Sequence, residues 1–459
     1  MKTQILRIIA ISLFIQTCIA QKASSQTKDA NKHKITHSEA YTLNTLKLDS
    51  LFNVLEENNK FMGSIALSQN GKVIYTKSVG FDDIETGKKS TINTKYRIGS
   101  ISKMFTSALV FKAIEENKLS LNKTLKNYFP TIENSEKITI GNLLNHRSGI
   151  HNFTNDEKYL TYNTEPKTEK EMITIISGFK SDFEPNSKSE YSNSNYVLLS
   201  IILEKTYNSR FKDLIREKIS KPLNLKNTYY GNTIYINNNE SNSYNYTTNW
   251  TKETETDMSI PLGAGAIVST PTDLTKFIET LFTEKIISKE SLERMTVIID
   301  GYGMGVFQFP FNDKKSFGHT GGIDGFSSFL SYFPNDSLSI ALCSNGTNYD
   351  NNNIMIGALS CYFNDAFTIP TFEKIEISES DLEKYVGVYS SEQAPIKFTV
   401  SQEKNVLFAQ GEGQPKVALY YKGEHKFSFE QVGAEFEFSP ELNKFVLKQG
   451  GGEFIFNKE

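Results

Sequence analysis

Apolar positions along the chain recur with two different periods, which predict a mixed helix-and-strand region followed by a region of strands alone. From Leu48 the apolar residues fall at helical spacing. The stretch Phe61 to Gly80 then predicts two strands joined at Asn70-Gly71, a dipeptide typical of tight hairpin turns. Broad apolar faces predict further helices over residues 103–116, 140–145, 169–179, 196–206, 211–219, 272–282 and 289–297.

The strand pattern returns near the end of this region and dominates the last part of the chain. Residues Gly318 to Ser344 predict strands, so the first region has strands at both ends with helices between them, which favours an α+β fold closed by both termini. From Asp381 to Lys458 short runs alternate apolar and polar residues and predict a small all-β, barrel-like domain. Two Asn-rich tracts without period, Asn237–Trp250 and Asn345–Asn353, are interpreted as solvated surface loops.

The first twenty residues have the pattern of an export signal. Lys2 and Arg7 precede a short apolar run, and Ala20 supplies a small residue at the expected cleavage site. The run is too short to span a bilayer, so no transmembrane span is predicted. We therefore expect a signal peptide over residues 1–20, a flexible polar leader over 21–40, and a periplasmic or secreted protein. Lipid anchoring at Cys18 ranks second, because Gln16 and Thr17 are not the small residues a lipoprotein signal needs.

Composition narrows the classes of protein without identifying one. The 459 residues are 38% hydrophobic and 22% charged, which favours a folded chain with large cores over disorder. A formal net charge of −3 leaves no strong basic field, so no nucleic-acid partner is expected. Beyond the signal only Cys343 and Cys361 remain, too few for a disulfide framework or a four-cysteine zinc site, and the sequence leaves their pairing open. His146 and His151 have no matching acidic or cysteine partner, so no metal and no cofactor are predicted.

A serine and a lysine three residues apart form the first segment with candidate chemistry. Ser100 follows Gly99 where a helix is predicted to begin, and Lys103 falls on the same helical face. A serine hydroxyl is hardly ionised at neutral pH and needs such a neighbour, together with a helix N-terminus, to act as a nucleophile. The alternative is that Ser100 only caps the helix and Lys103 is a solvated side chain.

Two later segments carry groups that suit proton transfer and substrate binding. In Tyr191-Ser192-Asn193, the phenol can relay protons if a nearby cation lowers its pKa, and the Asn193 amide can orient a substrate carbonyl. In Gly318–Gly322, glycines around His319 and Thr320 permit close backbone approach, and the Gly322 amide can donate to an oxyanion. Taken singly, the first segment is more typical of a turn before a helix, and the lone histidine of the second is more typical of a structural residue. The glycines of Gly263-Ala264-Gly265 are interpreted as a tight turn near the site.

The order of the three segments resembles the serine β-lactamase and penicillin-binding protein superfamily, with its Ser-x-x-Lys, Tyr-x-Asn and Lys-Thr-Gly or His-x-Gly elements. The branch most similar holds class C β-lactamases, certain D,D-carboxypeptidases, D-aminopeptidases and esterases. Leu143–Ile150, Gly263–Thr270 and Tyr302–Gly305 also fit that branch. The resemblance implies a β-lactamase-like antiparallel sheet flanked by helices with a helical subdomain, over residues 41–370, followed by a β domain over 380–459.

The resemblance also implies the roles of individual residues. Ser100 would be the acylated nucleophile, Lys103 its proton acceptor, and Tyr191 the relay to the leaving group and to the deacylating water. Asn193, His319, Thr320 and Gly321 would bind substrate. The backbone amides of Ser100 and Gly322 would form the oxyanion hole.

Two positions depart from the family pattern. His319 stands where most β-lactamases have lysine, and a histidine is mostly neutral at pH 7, which favours peptidase, aminopeptidase and esterase activities. Asn186 replaces the usual glycine before the Tyr-x-Asn element, and the glutamate that deacylates class A enzymes has no counterpart motif.

The sequence therefore predicts an exported serine hydrolase acting on small peptide, amide or ester substrates. A D-alanyl-D-alanine carboxypeptidase acting on cell-wall peptide is the best single interpretation. Esterase, D-aminopeptidase and β-lactamase activities of the same family are alternatives, as is a penicillin-binding sensor without turnover. In a further alternative the C-terminal β domain is the functional part and binds a partner or wall polymer.

Overall fold

The structure, a computed structural model, describes residues 41–247, 249–373, 375–414 and 416–459. The predicted signal peptide and leader, residues 1–20 and 21–40, lie outside these ranges. The described chain forms two compact units. The larger unit comprises Phe61–Asn245 and Trp250–Gly346, and the smaller unit comprises the described residues among 41–60, Tyr246–Asn249 and Thr347–Glu459. The domain limits that the resemblance implies near residues 370 and 380 stay a prediction.

A six-stranded sheet forms the frame of the larger unit, with its strands in the spatial order Phe307–Phe311, Lys314–Ile323, Phe326–Phe333, Leu338–Thr347, Phe61–Gln69 and Lys72–Val79. The strand from the start of the unit thus lies beside strands from its end, as the α+β prediction expected. The predicted hairpin is confirmed, since Gln69 pairs with Lys72 and both Asn70 and Gly71 have positive φ. The strands of this part of the chain are β1 Phe61–Gln69, β2 Lys72–Val79, β3 Phe81–Asp83, β4 Lys88–Lys89, β5 Tyr96–Arg97, β6 Tyr229–Tyr230, β7 Tyr244–Tyr246, β8 Trp250–Lys252, β9 Ile267–Ser269, β10 Phe307–Phe311, β11 Lys314–Ile323, β12 Phe326–Phe333 and β13 Leu338–Thr347.

Helices fill the space beside this sheet, close to the positions predicted from apolar spacing. Those of the larger unit are α2 Ser102–Glu115, α3 Ile140–Leu144, α4 Tyr159–Tyr162, α5 Glu169–Ser177, α6 Asn193–Tyr207, α7 Phe211–Ile215, α8 Pro271–Phe282 and α9 Lys289–Met295. Every residue of α2 from Ser102 to Phe111 is buried, so this helix runs through the core rather than along its surface. Phe105 of α2 stacks on Phe277 of α8. The helix that follows Ser100 is therefore held on all sides.

The smaller unit contains a closed eight-stranded barrel, which confirms the predicted C-terminal β domain. Its strands are β14 Gly387–Ser390, β15 Phe398–Glu403, β16 Val406–Gly411, β17 Val417–Gly423, β18 Lys426–Phe429, β19 Ala434–Ser439, β20 Lys444–Gln449 and β21 Gly452–Lys458. Burial alternates along β19 and β20, and aromatic side chains such as Phe398, Phe436 and Phe445 fill the interior. Helices α1 Thr45–Glu57, α10 Asn351–Phe363 and α11 Glu379–Leu382 belong to the same unit.

The two Asn-rich tracts are largely buried, so their interpretation as solvated loops was wrong except at exposed positions such as residues 237–239. Asn242 is 4% exposed and donates to the Asp83 carboxylate, while the buried Asn345 amide donates to the backbone oxygens of Phe81 and Asn242. Residues 351–363, which continue the second tract, form α10 with Asp350 as its N-cap. Polar side chains can be buried when their hydrogen bonds are satisfied, so polar composition alone misassigned these segments. Cys343 and Cys361 are both buried free thiols.

Candidate active site

Ser100 lies in a one-turn 3-10 helix, Gly99–Ile101, that leads directly into α2. Gly99 has a φ of 48°, and a β-carbon there would come within 2.7 Å of the Gly322 nitrogen. Only glycine fits this conformation and this close approach together. The chain therefore presents Ser100 half-buried at the start of a rigid helix, next to the end of strand β11.

The Lys103 amine is fully buried beside Ser100 and meets three oxygens. Its Nζ lies 2.9 Å from Ser100 Oγ, 2.8 Å from Asn193 Oδ1 and 2.8 Å from the Ala264 carbonyl oxygen. Burial lowers the pKa of Lys103 well below its ordinary value. A neutral amine donates its two hydrogens to the amide and carbonyl oxygens and keeps its lone pair for the Ser100 hydroxyl. This arrangement suits a base that takes the serine proton.

Tyr191 approaches Ser100 from the other side, with its hydroxyl donating to Ser100 Oγ at 2.8 Å. Burial raises the pKa of Tyr191 above its ordinary value of about 10, against the smaller opposing effect of the hydrogen bond to Ser100. The expected lowering of this pKa by a nearby cation is therefore wrong, because burial of the phenol outweighs the effects that lower the pKa. Tyr191 rests as a protonated phenol that can give a proton.

The Asn193 side chain ties the first two motifs together at the start of α6. Besides accepting from Lys103, its amide donates to Thr154 Oγ1 at 3.0 Å, and its backbone N–H donates to Asn152 Oδ1. The turn at Ala264 that accepts from Lys103 is the predicted Gly-Ala-Gly turn, so its place near the site is confirmed. The substrate-orienting role of Asn193 stays a prediction.

The third motif runs from the middle of strand β11 almost to its end, rather than lying at the start of a strand as the sequence indicated. His319 is 2% exposed, its ring centroid lies 6.3 Å from that of Tyr191, and its Nδ1 contacts the Thr320 carbonyl oxygen. Burial is the main cause that lowers the pKa of His319, to about 3. His319 is therefore neutral at physiological pH. Thr320 and Gly322 are exposed, whereas Gly321 packs against the Ile98 carbonyl oxygen.

Several residues around Tyr191 were not assigned to the site from the sequence. The buried ring of His146 lies 4.5 Å from the Tyr191 ring, between centroids. Tyr302 and Phe307 continue the aromatic wall, at 6.5 Å each from the same ring. His146 and Tyr302 fall inside the stretches Leu143–Ile150 and Tyr302–Gly305 that fit the family, which was the available signal.

The sequence also matches a known protein family and has named relatives. The Beta-lactamase family profile matches residues 52–357, more than half of the chain. The chain belongs to the beta-lactamase family. Penicillin-binding protein 4* of Bacillus subtilis (strain 168) is 25% identical over 442 residues, covering 88% of this chain and 97% of its own. Teichoic acid D-alanine hydrolase of Staphylococcus aureus is 27% identical over 264 residues, 57% of this chain and 64% of its own.

Solved structures show the same fold. The D-amino acid amidase from Ochrobactrum anthropi SV3 superposes with a TM-score of 0.61 at 23% identity, over 69% of this chain and 99% of its own. The penicillin-binding protein homologue from Pyrococcus abyssi gives a TM-score of 0.63 at 25% identity, over 90% of this chain and 100% of its own. The family, the α+β fold with its barrel, and the assignment as a serine hydrolase are thus confirmed.

The described residues contain neither a cluster of metal ligands nor a helix suited to cross a membrane. Within residues 41–247, 249–373, 375–414 and 416–459, no group of three or more His, Cys, Asp or Glu side chains is placed to hold a metal ion. In the same ranges no helix is both long and apolar enough to cross a membrane.

Proposed function

We propose that this beta-lactamase-family serine hydrolase cleaves D-alanyl amide or ester bonds through an acyl-enzyme on Ser100. The observation that supports the nucleophile is the position of Ser100 Oγ, held 2.9 Å from Lys103 Nζ and 2.8 Å from the Tyr191 hydroxyl. One hydroxyl thus faces a neutral base on one side and a proton donor on the other.

In acylation the Ser100 oxygen attacks the substrate carbonyl carbon while its proton passes to the Lys103 amine. The negative charge that develops on the carbonyl oxygen is met by the backbone amides of Ser100 and Gly322. The bond to the leaving nitrogen or oxygen then breaks, and the Tyr191 hydroxyl gives its proton to the leaving atom. The proton held by Lys103 passes to the Tyr191 phenolate and restores both groups.

Deacylation uses the same groups in the opposite sense. A water molecule attacks the acyl carbon and gives a proton to the pair formed by Tyr191 and Lys103. The bond between the carbonyl carbon and Ser100 Oγ breaks, and the serine oxygen recovers a proton as the acid is released. No cofactor takes part in this scheme.

The choice of a D-alanyl substrate draws on the relatives and on His319. The teichoic acid D-alanine hydrolase of Staphylococcus aureus is a sequence relative over 57% of this chain. A neutral His319, with its pKa lowered to about 3, supplies no positive charge for a carboxylate on the leaving group. These two observations favour D-alanyl amides and esters whose leaving group is uncharged.

A D-alanyl-D-alanine carboxypeptidase is the second candidate. The similarity to Penicillin-binding protein 4* supports it, because that similarity extends over 88% of this chain. This activity also takes a D-alanyl acyl group, and differs in releasing a D-alanine whose carboxylate must be bound.

The test compares four compounds at equal concentration: D-alanine p-nitroanilide, its L-enantiomer, D-alanine methyl ester and N-acetyl-D-Ala-D-Ala. We expect wild-type turnover of the D-amide or D-ester, little with the L-amide, and none in Ser100→Ala. Preference for N-acetyl-D-Ala-D-Ala would establish the carboxypeptidase. Ser100-dependent labelling by benzylpenicillin without turnover of any of the four compounds would establish a sensor. The absence of turnover of every compound, together with the absence of labelling by benzylpenicillin, would overturn the proposal.

We further propose that the protein is exported to the periplasm or secreted, on the basis of the signal pattern ending at Ala20. Expression in a bacterial host and N-terminal sequencing of the product outside the cytoplasm test this, with Gln21 as the expected first residue. A full-length chain retained in the cytoplasm would contradict export.

A further inference from the structure

A buried arginine lies three residues before Ser100. Arg97 is 3% exposed, and its guanidinium donates from Nη1 to Asp324 Oδ2 at 2.9 Å and to the Thr256 carbonyl at 2.8 Å. Its Nη2 donates to Glu255 Oε2 and to the Asn232 carbonyl, both at 3.0 Å. The four acceptors are arranged around a planar fork, which an ammonium group cannot reproduce.

The principal partner of Arg97 is next to the other half of the oxyanion hole. Asp324 follows Gly322 by two residues, in the turn between β11 and β12. Its side chain is 3% exposed, and its second oxygen accepts from both the backbone and the hydroxyl of Thr256. The pair therefore joins the segment that carries Ser100 to the segment that carries Gly322.

The backbones of these two segments approach each other closely, with almost no side chain between them. A β-carbon on Gly321 would come within 2.0 Å of the Ile98 carbonyl oxygen, and one on Gly99 within 2.7 Å of the Gly322 nitrogen. Ser328 Oγ donates to the Ile98 carbonyl oxygen at 2.9 Å. The two oxyanion donors are main-chain groups, so no rotamer change can correct their spacing, which is set by how the segments are held together.

We propose that the Arg97–Asp324 ion pair is a positioning pair that holds the Ser100 and Gly322 amides at the spacing required to bind an oxyanion. The inference rests on the proposed function to the extent that Ser100 is the nucleophile. A displacement of about 1 Å in such a site costs about 10²-fold in rate. A buried ion pair that contacts neither the Ser100 segment nor the Gly322 segment would have no such effect on the rate.

The test measures labelling of Ser100 by an alkyl fluorophosphonate. In this reaction the bond from Ser100 Oγ to phosphorus forms, the P–F bond breaks, fluoride leaves, and the serine proton passes to Lys103. The phosphoryl oxygen occupies the oxyanion position, and the probe carries no D-alanyl group. The labelling rate thus reports on the oxyanion hole even if the substrate assigned above is wrong.

The variants are Arg97→Lys, Asp324→Asn and the double variant, each checked for folding by near-UV circular dichroism. We expect each single change to slow labelling about 10- to 10²-fold, and to lower kcat on an active ester similarly with KM within about 3-fold. The double variant should be no slower than the worse single variant, because each single change already disrupts the same Arg97–Asp324 contact.

Glu430→Gln is the matched control, since it disrupts a buried ion pair with Lys60 in the smaller unit, at 8% exposure of each side chain. It should lower stability while leaving the labelling rate of Ser100 unchanged. Folded Arg97→Lys and Asp324→Asn variants that label at the wild-type rate would overturn the proposal, as would equal slowing in Glu430→Gln. Wild-type labelling without D-alanyl turnover would count against the proposed substrate alone.

Discussion

The imidazole of His146 packs against the phenol ring of Tyr191, with 4.5 Å between the ring centroids. The Nδ1 atom of the same imidazole accepts from the Ser192 backbone N–H at 3.1 Å and lies 3.3 Å from Asn195 Nδ2. One buried side chain thus supports Tyr191 through its ring and fixes the peptide that follows it. His146 has a φ of 59°, a conformation that Asn tolerates better than Ala does.

This contact predicts different losses for two substitutions of His146. His146→Asn keeps an acceptor and suits the backbone, so we expect kcat to fall about 10-fold with a modest loss of stability. His146→Ala also leaves a cavity and a strained backbone, and should cost about 2–4 kcal/mol of unfolding free energy. Urea denaturation and ester hydrolysis measure the two effects. An unchanged kcat in both variants would contradict the role assigned to the ring.

The hydrogen bond from Tyr191 to Ser100 predicts the effect of removing one oxygen. Tyr191→Phe keeps the ring packing and loses the proton donor, so kcat should fall about 10²- to 10⁴-fold while the unfolding free energy changes little. Tyr385→Phe in the barrel, which removes a hydroxyl that contacts His425, is the control and should keep wild-type kcat. A Tyr191→Phe enzyme within 10-fold of wild type would show that another group protonates the leaving atom.

Buried Lys103 predicts a stability difference that depends on pH. Its pKa is lowered in the folded protein, so the unfolded chain binds more protons between that pKa and the ordinary value of 10.5. Wild-type stability should therefore rise with pH relative to Lys103→Met across this interval. Chemical denaturation of both proteins from pH 7 to 10 measures the difference. A constant or falling difference would mean that Lys103 is buried as a charged group.

The activity profile should follow from the same groups. The reactive form has a neutral Lys103 and a protonated Tyr191, whose pKa is raised above 10. The acidic limb of kcat/KM therefore lies well below pH 10.5, and the plateau extends to at least pH 9. His319, with its pKa lowered to about 3, adds no limb between pH 5 and 9. A limb near pH 6.5 that disappears in His319→Gln would contradict its neutral state.

Asn186 shows how a departure from the family pattern is accommodated. It replaces the usual glycine, yet it has a φ of 69°, and its Oδ1 accepts from Arg147 Nε at 2.9 Å. Asn186→Gly should leave stability within about 1 kcal/mol, whereas Asn186→Ala should lose about 1–2 kcal/mol because alanine is strained there. Thermal unfolding of the two variants checks this. Equal stability of both would mean that the backbone relaxes on substitution.

The regular elements could be predicted because their apolar periods are strong. The helix after Ser100, the hairpin at Asn70-Gly71 and the barrel strands all carry patterns that local spacing decides. The motifs at Ser100, Tyr191 and His319 gave the candidate site because their residue types limit the chemistry. The structure brings Ser100, Lys103, Tyr191 and Asn193 into one hydrogen-bonded network.

What the sequence could not show depends on partners distant along the chain. The direction of the Tyr191 pKa shift depends on the burial of its phenol, which its neighbours in sequence do not indicate. Asn345 appears solvated by composition, but its side-chain Nδ2 is buried and donates to backbone oxygens more than a hundred residues away. Arg97 and Asp324 meet only through the fold, and sequence reasoning gave neither of them a role.

Strand β1 lies between β13 and β2, so the first strand of the larger unit pairs with the last one. The six-stranded sheet therefore cannot be complete until the ribosome has synthesised the residues of β13. Contacts so distant along the chain also slow folding, because a long loop must be ordered before they form. The larger unit is thus expected to stay incompletely folded through most of its own synthesis, with the barrel strands emerging only after its sheet can form.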